Sequence, residues 1–368
     1  MELTLDRGSF LAELQFVQGV VERRTTVPIL ANVLLETEGN SLLITGTDLD
    51  VTLRCRCAAD VRVSGSFAVS ARKLFDIVRL LAEEEVHVKV VSSEWLEVAC
   101  GRSRFKIAGM SGDSFPAVPP VEGPTFEIPA IALRSMIPRC SYAITQEDTR
   151  YTLNGALLRL EKGLLTLVAT DGHRMSLVEY AAVFPGALEP VEVLVPKKTL
   201  QELGKLVAET AEPVRFGRTE NHLFFEAEGR LLVSRILTGR FPNYRLVIPR
   251  DNPYVARVPT GEFVEALRRV AVMTDDETRG VKLDFSEGYL DLTATSADYG
   301  EAEEGLPIQY EGPPLGVAFR VDYLLDFLVT VPTPEVAIFL KDREAQVLLK
   351  PVEEDELRYS YVIMPMKA

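Results

Sequence analysis

The sequence predicts an α+β protein built from three tandem copies of one domain, each with two helices packed on antiparallel sheets. Three kinds of landmark carry that expectation. The first is a strand, a turn centred on glycine and a second strand: "NVLLETEGNSLLITGTDLD", "NGALLRLEKGLLTLVATDGHR" and "RGVKLDFSEGYLDLTATSAD". Thr47, Thr170 and Thr295 correspond there, 123 and 125 residues apart. The second is "FAVSARKLFDIVRLL", "VLVPKKTLQELGKLV" and "VAFRVDYLLDFLVTV", whose Leu74, Leu200 and Leu324 stand 126 and 124 apart. The third is "GDSFP" and "GRFP", ending at Pro116 and Pro242, again 126 apart. Landmarks that recur in one order at one period mark a repeated unit.

Each unit opens on an amphipathic segment, "SFLAELQFVQGVV", "IALRSMIPRCSYAI" or "GEFVEALRRVAVM", which reads as a first helix. The hairpin and further strands follow. A second helix comes next, with Leu74, Phe75, Val78 and Leu81 spaced by three and four so that one face packs on a sheet. Closing strands such as "LEVAC", "LFFEAE" and "VAIFLK" alternate apolar and polar, as antiparallel strands buried on one face do. Pro and Gly cluster at "FPAVPPVEGP" and "VIPRDNPYVARVP", which puts the domains at residues 1–122, 123–248 and 249–368.

Composition narrows the function. A chain of 368 residues with 47% hydrophobic content exceeds one ordinary core. A net charge of -14 excludes a protein that binds nucleic acid by bulk attraction, so any such contact is local. The N-terminus lacks a basic region followed by an apolar run, and no window has the length of a membrane span, so a cytoplasmic protein is expected. Cys55, Cys57, Cys100 and Cys140 form no C-x-x-C and read as free thiols. No metal site and no cofactor are expected, since the sequence has no nucleotide-binding, nucleophile-elbow or zinc-protease motif.

The stretch "VATDGHRM" is the one that looks catalytic, and a small-ligand or hydrolase site at Asp171, His173 and Arg174 is the competing reading. Asp171 corresponds to Asp48 and Ser296 in the other units, which makes the element a turn whose side chain caps local backbone. His173 and Arg174 have no counterparts, and no nucleophile or paired carboxylate accompanies them.

Over its whole length the chain resembles the bacterial DNA polymerase III beta subunits, the DNA sliding clamps. "TLDR", "VPIL", "TGTDLD", "ARKLFDI", "GRSRFKI", "RYTLNG", "VATDGHRM", "VPKK", "GRFPNY", "RGVKL" and "YVIMPMKA" occur in order. The resemblance implies three DNA-clamp domains per chain, helices inside and sheets outside, and a head-to-tail homodimer closing a six-domain ring on duplex DNA, without catalytic activity. The implied partners are double-stranded DNA of any sequence, a second copy, the polymerase III alpha subunit, the clamp loader, and other polymerases and repair proteins bearing short peptide motifs. No membrane partner is implied.

Arg72 and Arg79, seven apart, share a helix face, and Lys198 and Lys205 take the equivalent positions in the second unit. Recurrence points to phosphate contact, which positions without reading sequence. The third unit has Asp322 and Val329 there, so Arg268 and Arg269 on its first helix supply its cations. The resemblance adds Arg24, Tyr151 and Lys197 to the DNA contacts, with Glu147 and Thr152 departing from the family pattern.

Ring closure requires two different, complementary surfaces. Arg102, Arg104, Phe105 and Ile107 in the first unit are basic and apolar; Val272, Met273, Glu301, Glu303 and Glu304 in the third are acidic and apolar. The resemblance assigns both to the dimer interface. It also implies a peptide cleft at Leu153, Thr170, Gly172, His173, Arg174, Met175, Pro242, Val247, Tyr323, Val362, Met364, Pro365 and Met366. Methionines lining a groove suit varied anchors, since their side chains repack at low cost. "YVIMPM" also reads as a closing core strand, and Leu246, Glu344 and Gln346 depart from the family at the rim.

Overall fold

The computed structural model describes residues 1–21, 27–82, 84–145, 147, 149–187, 189–353 and 356–366; Arg24 lies outside them. The first repeat runs β1 (Glu2–Asp6), α1 (Arg7–Val17), β2 (Asn32–Glu38), β3 (Ser41–Thr47), β4 (Val51–Ala58), β5 (Asp60–Val63), β6 (Ser66–Ser70), α2 (Ala71–Leu80), β7 (Glu85–Ser92), β8 (Trp95–Cys100) and β9 (Ser103–Ser111). The second has β10 (Thr125–Ile128), α3 (Ala130–Ser141), β11 (Gly155–Glu161), β12 (Leu164–Thr170), β13 (Arg174–Ala181), β14 (Val191–Pro196), α4 (Lys197–Glu209), β15 (Val214–Arg218), β16 (His222–Ala227) and β17 (Arg230–Arg235). The third has β18 (Tyr254–Pro259), α5 (Thr260–Val270), β19 (Gly280–Ser286), β20 (Tyr289–Ser296), β21 (Gly300–Pro307), β22 (Leu315–Arg320), α6 (Val321–Leu328), β23 (Glu335–Leu340), β24 (Val347–Pro351) and β25 (Leu357–Ile363).

Apart from β5, the element order is one pattern repeated three times. Two compact units carry it. The first holds Met1–Leu133, Phe184–Ala187 and Lys198–Ile236, and its strands form one sheet in the order β10-β15-β16-β17-β4-β3-β2-β6-β9-β8-β7-β1-β5. The second holds Arg134–Val183, Leu188–Lys197 and Leu237–Ala368, with one sheet β14-β11-β12-β13-β25-β24-β23-β18 and another β21-β20-β19-β22. The sheets therefore cross from repeat to repeat. β4 of the first repeat pairs with β17, the last strand of the second, over Val51↔Ser234 to Cys55↔Arg230. In the same way β13 of the second pairs with β25, the last strand of the third, over Arg174↔Ile363 to Tyr180↔Leu357.

Local chemistry starts and orients the helices. Asp6 of "TLDR" caps α1, accepting from the Ser9 N–H at 2.6 Å and satisfying one of the orphan donors of the first turn. α2 buries Ala71, Leu74 and Val78 and turns Arg72 and Arg79 outward. The largest buried side chains of the first unit include Phe10, Phe67, Phe216, Phe224 and Phe225; those of the second include Phe263, Phe285, Phe319, Phe327, Tyr359 and Tyr361. Each such side chain contributes about 1.5–3 kcal/mol by leaving water. Cys55, Cys57, Cys100 and Cys140 are buried in these interiors as thiols outside any disulfide.

Candidate functional site

The corner after the second hairpin strand is the same device in all three repeats. Asp48 Oδ1 accepts from Asp50 and Val51 N–H at 2.9 and 2.6 Å; Asp171 Oδ1 accepts from His173 and Arg174 N–H at 3.0 and 3.1 Å; Ser296 Oγ accepts from Asp298 N–H at 3.3 Å. Thr170 completes the second corner, taking the Gly172 N–H at 3.1 Å and donating to the Arg174 carbonyl at 2.6 Å. Gly172 sits at φ 92°, where a side chain is strained, and a Cβ there would come within 2.6 Å of Arg150 Nη1.

Arg174 is the buried centre of this corner at 9% exposure. It donates from Nε to Asp171 at 2.9 Å, from Nη1 to Asp326 at 2.6 Å and from Nη2 to the Tyr142 carbonyl at 2.8 Å, and its guanidinium lies 4.2 Å from the Tyr323 ring centre. Burial, with Asp171 nearby, holds the Tyr323 phenol above its ordinary range, so the ring stays neutral under the cation. Both Asp171 oxygens are thus occupied by the turn and by Arg174. The hydrolase reading of Asp171, His173 and Arg174 is corrected on this geometry: the carboxylate that would orient a base instead builds a corner.

Around that corner lies an apolar cluster. Met175, Val362 and buried Leu157, Leu177, Tyr244 and Leu348 pack together, with Val247 against them. Leu153 is buried, Thr170, Tyr323, Pro365 and Met366 are half-buried, and Gly172, His173, Pro242 and Met364 are exposed. Two backbone bonds hold the tail beyond β25: Met364 N–H to the His173 carbonyl at 2.9 Å and Met366 N–H to the Ala318 carbonyl at 2.8 Å. The rim residues Leu246 and Gln346 line a cavity of about 430 Å³ with Arg245, Ile248 and Asn252. Sequence reasoning missed Leu177, Tyr244 and Leu348. Alternation along β13 would have found Leu177, two residues past Met175, and "FPNY" already contained Tyr244.

The expected DNA-contact cations stand on helix surfaces beside carboxylates of their own chain. Arg72 Nε and Arg79 Nη2 each lie 3.8 Å from Asp76. Lys198 hydrogen-bonds to Asp48, and Lys205 Nζ lies 2.7 Å from Glu202. In the third repeat Arg268 lies 2.9 Å from Glu265, and Arg269 Nε 2.8 Å from Glu304. Lys197 is half-buried at the start of α4, while Tyr151 is exposed. Glu147 pairs with Arg150 at 3.4 Å.

Among the described residues, two of the open strand edges carry the residues expected at the dimer interface. β9 pairs with β8 from Ser103 to Ala108 but with β6 only at Gly109, Met110 and Ser111, so among the described residues the other side of Ser103–Ala108 is unpaired. Arg102 and Arg104 are exposed there, Phe105 is 37% exposed and Ile107 is buried. Among the described residues β21 pairs with β20 alone, and it carries exposed Glu301 and Glu303. Glu304 is held below the usual carboxylate range by its hydrogen bond from Arg269. Val272, 76% exposed, and Met273 flank the strand, the Met273 methyl facing Gly300.

Family models for the DNA polymerase III beta subunit match nearly the whole chain: the N-terminal domain over residues 1–119, the central domain over 127–243 and the C-terminal domain over 245–367. The beta sliding clamp of Pseudomonas aeruginosa is 37% identical over 371 residues, and that of Vibrio cholerae 32% over 369, each covering all of both chains. The crystal structure of the DNA polymerase III subunit beta from Pseudomonas aeruginosa, in one case bound to griselimycin, superposes with a TM-score of 0.94 at 36% identity over all of both chains. That of Caulobacter crescentus polymerase III beta gives 0.92 at 33%, again over both chains in full. With its three-times-repeated order of elements, the chain belongs to the DNA polymerase III beta subunit family, the DNA sliding clamps.

Proposed function

We propose that the chain works as a non-catalytic processivity factor in the cytoplasm, closing head to tail with a second copy into a six-domain ring around duplex DNA. One observation carries this reading. The third hairpin strand of one repeat pairs with the last strand of the next, first as β4 with β17 and then as β13 with β25. The pattern leaves one strand of each kind over: β21, acidic and open, and the Ser103–Ala108 edge of β9, basic and open. Pairing β21 of one copy with β9 of another continues the ladder and removes the exposed edges that otherwise invite aggregation. Arg102 and Arg104 then meet Glu301 and Glu303, while Phe105, Val272 and Met273 supply apolar contact and Ile107, buried in its own chain, supports Phe105 from within.

The domains of this reading are 1–122, 123–248 and 249–368. DNA runs along the second helices past Arg72, Arg79, Lys197, Lys198 and Lys205, with Arg24 and Tyr151 as further contacts, and the contacts go to phosphate rather than to bases. Polymerase III alpha, the clamp loader and other polymerases and repair proteins insert short peptides over the Met175 and Val362 cluster, their apolar anchors contributing most of the energy. The test is topological. Sedimentation should give a dimer, and protein loaded on nicked circular DNA should stay until the circle is cut. Glu301→Lys with Glu303→Lys should weaken the dimer at least tenfold, and adding Arg102→Glu with Arg104→Glu should restore it. A monomer throughout, or retention unaffected by cutting, refutes the ring.

A further inference from the structure

We propose that Asp76 stands in for a DNA phosphate in the free protein, so that entering duplex exchanges one anion for another at Arg72 and Arg79, whereas Asp48 and Glu202 keep hold of the cations of α4. The inference rests on the reading that these helices face DNA. Arg72 and Arg79 bracket Asp76 one turn to either side, each at 3.8 Å. Exposed pairs of this kind are worth no more than about 1 kcal/mol, so a phosphate displaces the carboxylate at little cost. The arrangement recurs. Glu202 occupies the position of Asp76 in the second repeat, 126 residues later, and holds Lys205 at 2.7 Å, while Asp48 holds Lys198. The carboxylates of this second set are far less exposed, Glu202 at 4% and Asp48 at 7% against 41% for Asp76.

A desolvated carboxylate grips its cation harder and faces a larger penalty if abandoned. α2 therefore supplies exchangeable contacts and α4 retained ones. After exchange Asp76 stays beside the phosphate and repels it, which weakens the grip at every register along the duplex alike. Such flattening favours translation along DNA over residence at one place.

The test uses the full-length protein and a dye-labelled linear duplex, titrated by fluorescence anisotropy at several salt concentrations. Asp76→Asn should bind about threefold tighter at low salt and steepen the dependence of log K on log salt by up to about one, because cations freed of their carboxylate neutralise more phosphate. Asp76→Glu, which keeps the charge, should match wild type. If Asp76→Asn, melting like wild type, binds no tighter while Arg72→Ala with Arg79→Ala binds more weakly, the surrogate role is overturned and the DNA-facing assignment stands. If the double arginine variant also binds as wild type, the assignment and the surrogate role fall together.

Discussion

Arg174 is clamped by two carboxylates, a carbonyl and the face of Tyr323, and most of that clamp comes from distant chain. Replacing Asp326 by Asn leaves the buried cation one carboxylate short, and stability in urea should fall by about 1–2 kcal/mol, below the full cost of a broken buried pair because Asp326 is itself 42% exposed. Peptide affinity should fall with it if the corner loosens. Asp171 was legible in the sequence because its capping role is local and repeats; Asp326, 152 residues from Arg174, left no local trace. Burial pushes Tyr359 up to about 12 and raises Tyr142 and Tyr361 as well. Unfolded phenols ionise at about pH 10, so between there and about pH 12 the unfolded chain sheds protons that the folded chain keeps. The contribution is whole below about pH 10 and is lost above it: urea midpoints should decline steeply across that window.

β25 ends at Ile363, and the tail beyond it is tied down only by the Met364 and Met366 backbone bonds among the described residues. Deleting Met364 to Ala368 should therefore abolish peptide capture, read by fluorescence polarisation, while sedimentation still gives the dimer; loss of the fold would instead make the tail part of the core. Helix positions and hairpins could be read directly, since both express a period of the local sequence, 3.6 or 2. Strand partners could not. The β4 to β17 ladder joins segments some 180 residues apart in chain, and nothing in either strand names the other. The short β5 escaped for a different reason: "DVRV" is too brief to show a period.

At the scale of the molecule, a net charge of -14 and helix-face cations matched by carboxylates describe a surface that adheres only weakly to nucleic acid, leaving enclosure as the main source of retention. Raising salt should accordingly dissociate open-ended complexes with linear duplex far more than loaded circles, a contrast measurable by gel filtration over a salt series. The repeat and the family motifs made this level the most legible from sequence; the open edges, which depend on which strands lack a neighbour, needed coordinates. The four sequestered thiols carry a practical corollary. Burial lifts the Cys57 thiol to about 11 and raises those of Cys55 and Cys140 as well, away from the thiolate that alkylating dyes require. A single cysteine introduced on the surface can thus be tagged selectively without first stripping the native ones, which opens the molecule to distance measurements by fluorescence.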